Sequence, residues 1–229
     1  MDPALVSLIA ASLAFVGTHF AMSHPLRGPM VRALGEKGFA GVYSLVSLAA
    51  FAWMILAFRA MPRRGLPLWN GSGTAIWIVA SLVSIVALAL FIGSLRGNPA
   101  LPGAVVHPEG AQAHAGGVFR VTRHPMMWGF ALWALAHVLV APTARTLVLA
   151  GAIAFLALVG AHLQDGKKEV LMGEGWRDWE AKTSYWPRLA ALPGIGLGLW
   201  ATTLVLWAAI TWAHIPLAYV PAGLWRWFG

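Results

Sequence analysis

Six apolar stretches, at about 4 to 22, 39 to 58, 75 to 95, 127 to 141, 144 to 163 and 197 to 215, leave this chain one class of fold. A spanning helix needs about 20 apolar residues. In hydrocarbon a spanning segment must also satisfy every backbone N–H and C=O internally, which leaves helices and closed barrels. Runs of this length and continuity predict helices, so the expectation is an all-α, polytopic transmembrane bundle of about six spans. The fourth run is the shortest, and it spans only if its helix begins near Thr122. With 59% hydrophobic and 10% charged residues, a water-soluble globule is excluded. No repeat or low-complexity tract divides the 229 residues, which read as one membrane domain, 1–229.

The first run follows Asp2, has no basic segment before it and no small-residue cleavage site after it, so it reads as a span and not a signal peptide. Nothing resembling a transit segment precedes it, which points to a bacterial inner membrane. The net charge of +8 is spread along the loops and forms no patch for nucleic acid. It reports topology instead. With the N-terminus outside, eleven Lys and Arg fall on the inner side and five (Arg59, Arg63, Arg64, Arg145 and Arg226) on the outer side, which the positive-inside rule favours. The N-terminus is therefore expected in the periplasm, and the loops at about 96 to 126 and 164 to 196 share the inner face. Aromatic residues at the span ends, and the tail Leu224–Phe228, are expected to anchor in the headgroup region of the bilayer.

With no cysteine in the chain, disulfides, thiolate metal sites and cysteine nucleophiles are excluded, and eight histidines become the leading candidate ligands. His19 lies near the inner end of the first run and His137 well inside the fourth. Ionisable groups at such depth are costly and mark functional candidates. Two neutral imidazoles on different helices can ligate one haem iron; the alternative for His137 is a core histidine bonded to a nearby carbonyl. His124 and His137 cannot share a ligand, because thirteen residues separate them by about 20 Å of rise and about 140° of azimuth. His19 and His137 are expected to differ in depth by roughly 10 Å.

A second candidate site lies at the inner face. His162, Asp165 and Glu169 follow an i, i+3, i+7 spacing at the end of the fifth run, and Arg123 and His124 come from the other inner loop. An Arg123–Asp165 ion pair would tie the loops together and hold His124; this is either a site or a salt-bridged clasp with no chemistry. His107 and His114 read as solvated loop residues, and His214 as interfacial. Residues 173–187 form a short amphipathic surface helix, with Trp176 and Trp179 on one face and an Asp178–Lys182 pair on the other. It is expected on the inner membrane surface, either covering the Arg123 site or anchoring only.

Thr18-His19 with Arg27, Arg123-His124-Pro125 with Gly129, Trp133 through His137, and Gly173 through Trp179 with Thr183, Ser184 and Pro187 together resemble the NnrU family, which also includes the plant 15-cis-ζ-carotene isomerase. The resemblance implies an association with denitrification and nitric-oxide metabolism in bacteria. For the isomerase branch it implies haem b, with histidines matching His19 and His137 as ligands, and a polyene substrate. In that branch a cysteine three residues before the second histidine serves as an alternative ligand. This chain has Ala134 there, so a thiolate switch is excluded. The Arg-His-Pro-x-x-x-Gly element is also similar to membrane methyltransferases of the isoprenylcysteine carboxyl methyltransferase type, which implies S-adenosylmethionine at the inner face. Three functions follow: a haem-binding, redox-active or isomerase-like protein; a methyltransferase; or a non-catalytic assembly partner of a respiratory complex.

Overall fold

The apolar runs become helices whose ends are set by local chemistry. In the computed structural model, which describes residues 2–62, 65–101 and 115–228, the elements are α1 (Pro3–Ser23), α2 (Arg27–Ala60), α3 (Thr74–Gly93), α4 (Pro125–Val140), α5 (Ala144–Met172), α6 (Glu174–Lys182) and α7 (Leu197–Ala218). Short 3-10 segments occur at Gly117–Arg120, Leu189–Ile195 and Gly223–Trp227. Arg63, Arg64, His107 and His114 lie outside the described residues.

Asp2 caps α1, its carboxylate accepting from the Ala4 N–H at 2.9 Å, and Pro3 occupies a first-turn position that needs no N–H. α2 extends well before the expected start near residue 39, and it crosses a kink at Gly35, whose φ of 71° suits only glycine without strain. Residues 27–38 carry too many charges and glycines to show an apolar stripe, which hid this extension. α4 begins at Pro125 and does not reach Thr122, since a 3-10 segment and a turn precede it. Its 16 residues rise about 24 Å, short of the hydrocarbon thickness. The other five long helices, α1, α2, α3, α5 and α7, are each long and apolar enough to cross a bilayer.

Packing follows the logic of a lipid-solvated bundle, in which close approach of small residues holds helices together. Ala11, Ala57, Ala87, Ala134, Ala157 and Ala161 are buried, while Leu13, Leu45, Leu56 and Val205 face outward. α3 packs on α4, α4 on α5, α5 on α1, and α1 on α2; α7 packs on α3 as well. A Cβ on Gly129 of α4 would lie 2.9 Å from the Ala87 carbonyl oxygen and 3.3 Å from Phe91, both on α3. Gly129→Ala is therefore expected to push these helices apart at a cost of about 1–3 kcal/mol. A lower thermal midpoint in detergent checks this; an unchanged midpoint would show that the contact gives way freely.

Contacts between distant segments sort the helix ends onto two faces. On one, Gln164 Nε2 donates to the Ala100 carbonyl at 2.7 Å and Arg123 meets Asp165. On the other, Trp69 Nε1 donates to Leu139 O, Arg145 to Met61 O and Arg226 to Ser72 O. The described parts of the two long polar segments thus share one face.

Two surface elements pack onto the protein through their aromatic residues. Trp176 and Trp179 of α6 are fully buried with Leu90, Val118, Phe119, Val121 and Ile195, so the apolar side of α6 faces protein and not headgroups. Its core, not the bilayer, takes the indole rings because the 3-10 segments at 117–120 and 189–195 wrap over them. The tail folds back as well: Trp225 Nε1 donates to Ala208 O at 2.8 Å and the Arg226 guanidinium lies 4.4 Å from the Trp77 ring, while Trp227 and Phe228 remain exposed.

Candidate functional site

At the loop-rich face, residues 121–124 lie along residues 184–188. The Arg123 N–H donates to Ser184 O at 2.7 Å, the Arg188 N–H to Val121 O at 2.8 Å, and both Thr122 Oγ1 and Trp128 Nε1 donate to Tyr185 O. This backbone seam aims Arg123 and His124 at α5. Arg123 donates from Nε to both Asp165 oxygens at 3.0 Å and from Nη2 to Oδ2 at 2.6 Å, a bidentate, charge-assisted geometry. Its Nη2 also lies 3.2 Å from Glu180 of α6. His124, whose side chain is completely enclosed, meets Asp165 Oδ1 through Nε2 at 2.7 Å. Among the described residues, the Nδ1 of His124 is buried without a hydrogen-bond partner. A proton assigned to Nε2 leaves only a lone pair unmatched there, the cheaper of the two tautomers.

Tyr185 completes the cluster: its hydroxyl donates to Leu158 O at 2.7 Å, and Arg123 lies 5.7 Å from its ring. Burial and the Asp165 carboxylate hold this phenol above its ordinary pKa, partly opposed by Arg123, so it remains a donor across the neutral range.

Arg123, His124 and Asp165 therefore come together. His162 and Glu169 do not join them: His162 is exposed, and Glu169 lies 3.7 Å from Arg177 in a largely solvated pair. Steps of three and seven residues spread over about 60° of helix circumference, and the edge bearing Asp165 is the one turned to Arg123. Glu180 and Tyr185 escape a reading of the sequence because their side-chain partners, Arg123 and Leu158, lie on other elements far along the chain. Lys168 escapes it too: counted only as a topological charge, it is buried and caps the Pro99 and Leu101 carbonyls at 3.0 Å each.

The intramembrane histidines share a local pattern. His19 Nδ1 pairs with Phe15 O at 2.7 Å, His137 Nδ1 with Trp133 O at 2.8 Å, and His214 Nδ1 with Ile210 O at 2.8 Å. Each carbonyl can only accept, so each Nδ1 carries the proton and each Nε2 keeps its lone pair. The same bond satisfies a core histidine and orients a metal-ligating one. His19 sits against Phe15 and Tyr43 of α2, with ring centroids at 4.4 and 5.5 Å. His137 stacks on Trp133 at 4.1 Å, and its second ring neighbour is His214 of α7 at 6.3 Å. That neighbour is not legible in the sequence, since nothing local couples α4 to α7.

Fold and geometry define a polytopic α-helical membrane protein with a polar clasp on one face and imidazoles inside the bundle. It belongs to the NnrU family: the family model described as NnrU protein matches residues 7–222. The chain is similar to the chloroplastic 15-cis-zeta-carotene isomerase of Arabidopsis thaliana, 29% identical over 196 residues that cover 82% of this chain and 51% of that protein. It thus spans about half the length of that relative. No solved structure matches.

Proposed function

We propose that this chain is an isomerase-like protein of a bacterial inner membrane, with its N-terminus in the periplasm, that holds haem b through His137 and acts on a hydrophobic polyene. One observation carries the reading: His137 lies within an apolar helix with Nδ1 committed to Trp133 O, which leaves the Nε2 lone pair for a metal. The donor set fits haem iron, which accepts neutral imidazole. When bound, haem would supply one-electron chemistry, which suits both the isomerase-like reading and an association with nitrogen-oxide metabolism.

The chain's own residues hold and shield. Trp133 lies against one face of the imidazole and fixes its rotation. Ala134, 2% exposed, offers no sulfur, so any exchange of ligands here uses other donors. A polyene has no polar handle and reaches such a site from the bilayer. The Arg123 cluster acts in this reading as a clasp, because its guanidinium is shared between Asp165 of α5 and Glu180 of α6.

The test is chromatography of a 15-cis polyene incubated with haem-loaded protein in oxidised and reduced states. Conversion to another isomer in one redox state is expected. An unchanged isomer composition in both would refute the isomerase assignment.

A further inference from the structure

Two arginines at the loop-rich face stand without a matching negative charge. Arg96 follows the end of α3 and Arg120 closes the 3-10 segment at Gly117–Arg120, and both are exposed. Among the described residues neither guanidinium has an ion-pair or hydrogen-bond partner, since Asp165 and Glu180 are taken by Arg123 and Glu169 by Arg177. Arg96 lines a cleft of about 340 Å³ where the end of α3, the 117–120 segment and the start of α7 meet. The buried Val118 and Ile195, with Leu199, make its floor apolar, while Arg96, Gly97 and Gly117 form an exposed rim. Both rim glycines hold a positive φ, 64° and 55°, and a Cβ on either would meet nothing within 4 Å, so the backbone at the mouth is bare and open. A Cβ on Gly194, next to Ile195, would lie 3.7 Å from Arg120 Nη1, which puts the second guanidinium beside the same cleft.

This combination selects its occupant. Two guanidiniums repel a cation, and a neutral apolar molecule would leave them unmatched. Phosphate oxygens fit the guanidinium fork, and the apolar floor fits the glycerol and first methylenes that a phospholipid carries next to its phosphate. Leu95, 53% exposed, precedes Arg96, and Leu197, 88% exposed, lies between Ile195 and Leu199 in the chain. The cleft therefore opens among side chains that suit acyl chains, which favours a lipid over a free phosphate ion. We propose that it binds the headgroup of an anionic phospholipid, with the phosphate at Arg96 and Arg120 and the acyl chains passing over Leu95 and Leu197. None of the histidines takes part, so this site stands apart from the haem reading.

The experiment is native mass spectrometry of the detergent-purified full chain, titrated with dioleoylphosphatidylglycerol, dioleoylphosphatidylcholine or glycerol 3-phosphate. One phosphatidylglycerol is expected to be retained per protein, in preference to phosphatidylcholine, whose headgroup carries a compensating cation. Glycerol 3-phosphate, which lacks acyl chains, is expected to bind far more weakly. Arg96→Ala and Arg120→Ala should each weaken retention about fivefold, the effect of one basic residue near an anionic lipid surface. Arg96→Lys should recover part of that loss. Neither guanidinium has a protein partner to lose, so the thermal midpoint without lipid should be unchanged in these variants. Arg32→Ala, at the start of α2 and outside the cleft, should bind like the wild type. Equal retention of both lipids, or an equal loss in Arg32→Ala and Arg96→Ala, would mean diffuse attraction and overturn the site. Glycerol 3-phosphate binding as tightly as phosphatidylglycerol would assign the cleft to a soluble phosphate and overturn the lipid.

Discussion

Replacing His137 with alanine is expected to abolish the haem Soret band of the purified protein. The substitution removes the one imidazole that lies within α4 with Trp133 against it, and neither neighbour in sequence, Ala136 or Val138, can donate to a metal. Other ligands on facing helices cannot compensate, since a single remaining imidazole holds haem weakly. Loss of outer-sphere partners alone typically costs 10–100-fold in metal affinity, so loss of the ligand itself should exceed about 100-fold. Absorbance per protein after haem supplementation measures this, with gel filtration to show that the variant is folded. A Soret band of unchanged height in His137→Ala would end the proposed ligation.

The second large effect is expected at the clasp. Arg123→Ala would leave Asp165, 12% exposed, without its counter-charge, and would release Glu180. Removing one partner of a buried pair costs about 3–5 kcal/mol, because the surviving charge stays desolvated. Arg123→Lys should recover only part of it, since an ammonium cannot reproduce the bidentate fork. Thermal unfolding in detergent, combined with Asp165→Asn in a double-mutant cycle, measures the coupling between them. Independent, additive losses would show that the pair contributes nothing as a pair. The exposed Arg27–Glu36 contact at 3.1 Å makes a useful contrast, because a solvated pair of this kind is worth about 1 kcal/mol or less.

These two residues also show what the sequence makes legible. Arg123 stands in a loop and Asp165 near the end of α5 on the same face, so their pairing follows from topology plus opposite charge. Helices α1, α3, α5 and α7 follow from long apolar runs, which fold the same way wherever they pack. The kinked start of α2 does not, because charge and glycine mask it. Whether the indoles of α6 meet lipid or protein depends on the segments that wrap over them, and helical periodicity carries no such information. The neighbour of His137 is hidden for the same reason: helix order around a bundle is decided by packing between distant segments, and His214 comes within 6.3 Å only through the shared contact of α4 and α7 with α3.

The most direct measurement is the oxidised-minus-reduced absorption spectrum of the wild-type protein purified in detergent and supplemented with haem. A b-type spectrum with stoichiometric haem is expected. A protein that stays colourless under these conditions would contradict it.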